Sequence, residues 1–152
     1  MTGTPRLELT TAATELGVRA LLGWLAAQLA RFDLSDDNRG SLEIAVSESL
    51  NNIVEHAYAG RVDGLIAVTL WRTGQGIEVE LRDTGCALPG LRLPDGNPAD
   101  ISGALDDLPE GGFGWFLIRT LTQRLDYTRT DDGNCLQLGF DFDDPAPQGN
   151  KF

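Results

Sequence analysis

The stretch Ser47-Glu-Ser-Leu-Asn-Asn-Ile-Val-Glu-His-Ala-Tyr58 sets Glu48, Asn52 and His56 at successive i, i+4 spacings inside a helical pattern. At about 100° per residue, Leu42, Val46, Leu50, Ile53 and Ala57 share one face of that helix. Glu48, Asn52 and Glu55 fall roughly opposite, with His56 at the edge. A carboxylate one turn from a carboxamide can serve two jobs at once. The carboxamide oxygen is a hard ligand suited to Mg²⁺, and the carboxylate can take a proton from a nearby nucleophile. Taken alone, the same pattern also describes a solvated helix face. The two glycine-bearing segments downstream decide between these readings.

Working outward, Ser35 or Asp36 reads as the N-cap of this helix, which runs to about Tyr58, and Gly60 supplies a stop. Ahead of it, residues 5–10 read as a short strand with Leu7 and Leu9 on one side. From Ala12 to Phe32 the pattern is helical, with Leu16, Ala20, Trp24 and Ala27 or Gln28 roughly four apart. Behind it, Leu65-Ile-Ala-Val-Thr-Leu-Trp71 and the alternating Ile77-Glu-Val-Glu-Leu-Arg82 read as a hairpin joined at Thr73-Gly-Gln-Gly76.

Residues 86–110 carry four prolines (Pro89, Pro94, Pro98, Pro109) and read as a long loop, a length that is usually functional and often a lid. A third helix begins near Gly112–Gly114 and continues to about Leu125. Residues 126–130 and 135–142 form a last hairpin around Asp132-Gly-Asn134. The order predicts an α+β two-layer sandwich, a mixed and mostly antiparallel sheet with helices on one face. Residues 1–142 read as one domain and 143–152 as a flexible tail.

Composition narrows the partners. A net charge of −11 argues against nucleic acid, whose binding needs clustered Lys and Arg, and against an anionic membrane surface. An acidic chain can still bind a nucleotide phosphate, because Mg²⁺ and backbone amides supply the positive end locally. No stretch approaches the roughly 20 apolar residues of a membrane span, and the start lacks a signal-peptide pattern. The 2 cysteines, Cys86 and Cys135, are too few for a disulfide framework. The expectation is a cytoplasmic protein.

Asp83 continues the period of Ile77, Val79 and Leu81, which aims its carboxylate toward the apolar layer. Such a carboxylate needs a partner, and an adenine amino group is one donor that fits. Thr84-Gly85 lets backbone approach closely there. An Asp-Thr-Gly that merely caps its own turn is the competing reading. The run Glu110-Gly-Gly-Phe-Gly-Trp-Phe-Leu-Ile118 places glycines where a helix begins, so that N–H groups and the helix dipole can meet phosphate. It is neither a P-loop nor a Rossmann fingerprint, since Gly-Lys-Ser/Thr and the G-x-G-x-x-G spacing are both missing.

The three segments in this order resemble the GHKL ATPase superfamily, with its histidine-kinase-type ATPase fold. The N box is similar to Glu48…Asn52, the G1 box to Asp83-Thr-Gly85 and the G2 box to Gly112-Phe-Gly114. Within the superfamily, Ala45–Tyr58, Gly111–Arg119, Leu125-Asp-Tyr127 and Gly133-Asn134-Cys-Leu136 resemble the bacterial anti-sigma factor serine kinases, and the likeness runs from the first strand to Phe142. The resemblance implies Glu48 as general base for a serine hydroxyl and Asn52 as Mg²⁺ ligand. It implies Asp83 as acceptor of the adenine amino group with Gly85 allowing the approach, Gly112 and Gly114 as phosphate cradle, and residues 88–110 as ATP lid.

His56 is expected to pack or cap its helix, and Arg119 to face the surface or a partner. One departure is Glu110, which stands where such kinases often carry a basic residue, leaving Arg92 as the one lid cation. The implied function is an ATP-dependent serine protein kinase of a partner-switching system. It would phosphorylate a STAS-domain anti-anti-sigma protein, hold a sigma factor or other output protein, and form a homodimer. The alternative is a nucleotide-responsive partner-binding module with little or no kinase activity. Retention of Glu48 favours the kinase.

Overall fold

The structure, a computed structural model, describes residues 5–59, 61, 63–95 and 110–142. Its order is β1 (Arg6–Ala12), α1 (Glu15–Leu29), α2 (Asp36–Asn52), a π-helical turn (Ile53–Ala57), β2 (Leu65–Arg72) and β3 (Gly76–Asp83). A 3₁₀ turn (Pro89–Leu91), α3 (Glu110–Leu121), β4 (Arg124–Thr130) and β5 (Gly133–Asp141) follow. The strands form one five-stranded sheet in the order β1-β2-β3-β5-β4. All four pairings are antiparallel, so the sheet expected to be mixed carries no parallel pair among the described residues. The stop expected at Gly60, most of the 88–110 segment (96–109) and the tail from 143 lie outside the described residues.

Both long helices start where a side-chain oxygen meets an orphan N–H. Thr14 accepts from the Gly17 N–H at 3.0 Å, and Ser35 from the Asn38 N–H at 3.1 Å. Acidic residues follow in each first turn, Glu15 in α1 and Asp36 and Asp37 in α2, where they favour the positive end of the helix dipole.

The core lies between the helices and one face of the sheet. From the sheet come Ile66, Val68, Leu70, Ile77, Val79, Leu81, Leu136, Leu138 and Phe140; from α2 come Leu42, Ala45, Val46 and Leu50. Each of these Val, Leu, Ile and Phe side chains, fully buried, stabilises by roughly 1.5–3 kcal/mol before entropy is subtracted. In α1 the buried stripe is Val18, Leu21, Leu25 and Leu29, while Leu16 is 73% exposed. The stripe through Leu16, Ala20 and Trp24 is therefore not the one that meets the sheet. Two apolar registers overlap on this Leu- and Ala-rich helix, and periodicity alone does not choose between them.

The third helix starts at Glu110, earlier than Gly112–Gly114, and ends at Leu121 rather than near Leu125. Its glycines thus occupy the first turns instead of preceding them. The strand β4 begins at Arg124, where the Arg124 guanidinium meets Glu78 and also reaches both Asp141 oxygens at 2.9 Å. That cross-strand pairing claims Arg124 for the sheet. No helix among the described residues is long and apolar enough to cross a membrane.

Candidate functional site

The helix carrying Glu48 and Asn52 is fixed to the strand end carrying Asp83 by backbone. Past Asn52 the chain widens into the π-helical turn Ile53–Ala57, an irregularity that recurs at functional sites. Its last carbonyl, that of Ala57, accepts from the Cys86 N–H at 2.7 Å. Gly85 makes this approach possible, since a Cβ there would sit 2.5 Å from the Ala57 carbonyl oxygen. Tyr58 locks the next residue: its hydroxyl donates to the Leu65 carbonyl at 2.7 Å and accepts from the Thr84 N–H at 2.7 Å.

Beside this junction lies a cavity of about 370 Å³ lined by, among others, Asn52, His56, Asp83, Leu88, Trp115 and Asn134. Its volume is at the lower end for a small-molecule site. Asp83 is 6% exposed. Its Oδ1 accepts from the Gly85 N–H and from Asn134 Nδ2, both at 2.8 Å. Burial pushes the Asp83 carboxyl above its ordinary value, opposed by those two hydrogen bonds and by the nearby Arg129 guanidinium. The turn-capping bond from Gly85 is therefore real, and it coexists with a carboxylate held in a cavity wall.

Across from Asp83, the amino-terminal turns of α3 pack on α2. A Cβ on Gly114 would come within 3.0 Å of Glu48 Oε1 and 3.7 Å of Asn52 Oδ1. Glycine thus lets the backbone of α3 lie directly against the carboxylate and the carboxamide. Asn52 Nδ2 is buried and without a hydrogen-bond partner, alone in this among the buried side-chain N and O atoms of the described residues. A buried N–H left unpaired costs about 1–3 kcal/mol, so its retention suits a site completed by a ligand. Gly112 lies in the first turn of α3, where backbone N–H groups have no partner within the helix.

The structure therefore brings Glu48, Asn52 and Gly114 together and sets Asp83 on the same cavity as Asn52, with Gly85 at the Ala57 junction beside it. His56 is about half exposed and lines that cavity instead of packing, its nearest charged neighbour being Glu55 at 4.0 Å. Arg119 is exposed but not free: Nε donates to the Pro94 carbonyl at 2.8 Å and Nη2 to that of Leu93 at 3.4 Å. It fastens the residues before 96 to α3. Arg92 is exposed.

A polar network under Asp83 escaped the sequence reading. Asn134, 7% exposed, pairs with Asp83 in the β3–β5 register. Tyr127 donates from its hydroxyl to Asn134 Oδ1 at 2.6 Å and accepts from the Leu88 N–H at 2.9 Å. Arg129 Nη1 donates to the Gly85 carbonyl at 2.7 Å and to Asn134 Oδ1 at 3.2 Å. Asn134 reads as a turn residue, yet the inward period of Leu136, Leu138 and Phe140 continues back onto it. That continuation was the available signal.

These donors and acceptors fit a purine nucleotide held with a divalent ion. A buried acceptor sits in an apolar wall, an unpartnered carboxamide lies beside a carboxylate, and a glycine-rich helix start faces both.

Comparison with known proteins identifies the family. The family model described as the histidine kinase-like ATPase domain matches residues 10–140. The serine/threonine-protein kinase BtrW of Bordetella bronchiseptica is 32% identical over 135 residues, 89% of this chain and 92% of that protein. The serine-protein kinases RsbW of Bacillus cereus and Bacillus anthracis are 36% identical over 99 residues, 64% of this chain and 61% of theirs, so the match spans less than two thirds of those relatives. A solved structure of the RsbU and RsbW domains of a Mycobacterium tuberculosis protein superimposes with a TM-score of 0.63 at 21% identity. It covers 91% of this chain and 32% of that one, a likeness of fold.

Proposed function

We infer a function from one premise: the chain belongs to the histidine kinase-like ATPase domain family and, within it, to the anti-sigma factor serine kinases. On our reading it is a cytoplasmic, Mg·ATP-dependent protein serine kinase of a partner-switching pair. Residues 1–142 form its single domain, with 88–110 as ATP lid. Its substrate is a serine of a STAS-domain anti-anti-sigma protein, and in the alternate state it holds a sigma factor or other output protein, acting as a homodimer.

The observation that carries this reading is the packing of Gly114 against Glu48 and Asn52, beside the cavity that Asn52 shares with Asp83. Bound Mg·ATP supplies the transferable phosphoryl group and a cation that offsets its charge. The chain's own residues supply position and proton transfer, which is most of what such a reaction requires. Asp83 would accept from the base amino group, Gly85 keeps the strand end narrow, and the Asn52 carboxamide oxygen would ligate the ion. Gly112, in the first turn of α3, and Gly114, against Glu48 and Asn52, would cradle the phosphates. Glu48 would take the proton of the attacking serine hydroxyl onto a carboxylate oxygen as that hydroxyl oxygen bonds to the γ-phosphorus, the γ-phosphorus–bridging-oxygen bond breaks and ADP leaves.

The test is incubation of the full chain with γ-labelled ATP and the STAS-domain proteins of the same genome. Label on a serine of one of them is the expected result. ATP binding with no transfer to any of them points instead to the nucleotide-responsive binding module. Loss of transfer in Glu48→Gln with nucleotide affinity intact ties the chemistry to Glu48.

A further inference from the structure

Among the described residues, Asn134 is the most heavily hydrogen-bonded side chain to which the proposed function gives no role. Its Nδ2 donates to Asp83 Oδ1 at 2.8 Å and to the Cys86 carbonyl at 2.9 Å. Its Oδ1 accepts from the Tyr127 hydroxyl and from Arg129 Nη1. A carboxamide has two N–H donors and two acceptor lone pairs, so Asn134 is saturated. A flipped amide would aim N–H at the Arg129 guanidinium and oxygen at the Asp83 carboxylate. The neighbours therefore fix its orientation.

The consequence falls on Asp83. Both hydrogen bonds to that carboxylate use Oδ1; Oδ2 takes none and is not among the buried unpartnered atoms, so it faces the open cavity. An asparagine serving only its own β4–β5 turn would bond within that turn. This one reaches residue 83, 51 positions away in sequence.

We propose that Asn134 is the positioning residue for base recognition: it holds Asp83 with Oδ2 presented to a purine 6-amino group, and through Tyr127 it ties that acceptor to Leu88. The proposal rests on the nucleotide reading of the cavity and deepens it. Asn134 does not touch the base; it acts through Asp83. Arg129 contributes the opposing charge, and the Tyr127–Leu88 bond places the start of the 88–95 segment under the same control.

The experiment compares ribose-tagged fluorescent ATP and ITP, which differ at purine C6 (amino against keto), on the full chain between pH 5.5 and 8.5. The wild type should prefer ATP throughout. Asn134→Asp replaces a donor to Asp83 Oδ1 by a second carboxylate. Two carboxylates at hydrogen-bond distance retain one shared proton to a raised macroscopic pKa. Below that value the shared proton restores the bond to Oδ1, and above it the bond becomes a repulsion.

The ATP preference should therefore survive at the acidic end and fall about tenfold at the alkaline end. The groups facing this pair are Arg129 and Tyr127 on β4, Cys86 after β3 and His56 from the π-helical turn. The wild-type profile carries the share of these neighbours, so the difference between the two profiles is what counts. Tyr127→Phe removes one support of the carboxamide and leaves Asp83 and Asn134 in place. It should lower the ATP preference about threefold with little change in thermal midpoint, and it decides the matter if Asn134→Asp does not fold. A pH-independent, wild-type preference in Asn134→Asp, or an unchanged preference in a folded Tyr127→Phe, would return Asn134 to a turn role and leave the nucleotide reading standing. A wild type that binds neither nucleotide removes the nucleotide reading and this proposal together.

Discussion

Around Asp83 the hydrogen bonds close on one another: Gly85, Asn134, Tyr127, Arg129 and Leu88 each find a partner within the network. Around Asn52 the same cavity leaves a buried N–H unanswered, and a glycine is all that separates Glu48 from the backbone of α3. The two sides are finished to different degrees. One side has its hydrogen bonds made within the protein, which suits discrimination between bases, because relaxing toward a mismatched partner would break them. The other is open, which suits groups that must meet charge as it moves.

The sharpest way to break this contrast is at the open side. Glu48→Gln keeps shape and most hydrogen bonding but cannot take a serine proton. Phosphoryl transfer should fall by about 10²–10⁴-fold while nucleotide affinity persists. Single-turnover phosphorylation measured on the variant settles it, and normal rates would leave Glu48 without a chemical role.

Next in size is the finished side. Asp83→Asn should cut the preference for ATP over GTP by about 100-fold, because the buried acceptor no longer matches its donor. Stability should move the other way. Burial raises the folded-state pKa of Asp83, so its ionised form costs stability that is absent at acid pH and grows as pH rises through the folded pKa. The variant should therefore melt at or above the wild-type temperature at neutral pH, with the gap closing on acidification. A large loss of stability at neutral pH would make Asp83 a structural cap instead.

Asn52→Ala is expected to lower affinity about tenfold in the presence of Mg²⁺ and much less without it. Calorimetric titration under both conditions is the check, and equal losses would remove Asn52 from the metal site. The smallest effect belongs to Arg119→Ala, which releases the carbonyls of Leu93 and Pro94. Nucleotide dissociation measured by stopped flow should quicken about threefold; an unchanged rate would confine Arg119 to the helix surface.

What the residues disclosed in advance follows the same division. Strand periods placed Ile77, Val79, Leu81 and Asp83 on one side, and all four are buried. Capping residues placed the start of α2. The choice of stripe on α1 was not legible, because Leu16 and Val18 differ in exposure only through the sheet they meet or miss. Asn134 was missed because Gly-Asn is strong turn chemistry locally, while its partner lies on another strand. Arg119 is exposed as expected, but its bonds to Leu93 and Pro94 were not legible: its acceptors are backbone carbonyls, which no side-chain pattern announces. Local rules reach what a helix or strand does to itself, and the polar network under Asp83 is made between elements.

The Ala57–Cys86 bond has a metrical consequence. Because the carbonyl of Ala57 holds the Cys86 N–H, and Gly85 leaves no side chain between them, the turn after α2 is tied to the residues after β3. The backbone positions from which Asn52 and Asp83 project are linked through that bond, whatever the side-chain rotamers. On the nucleotide reading proposed above, this bond would set by backbone the span between the group that meets Asp83 and the group that meets Asn52.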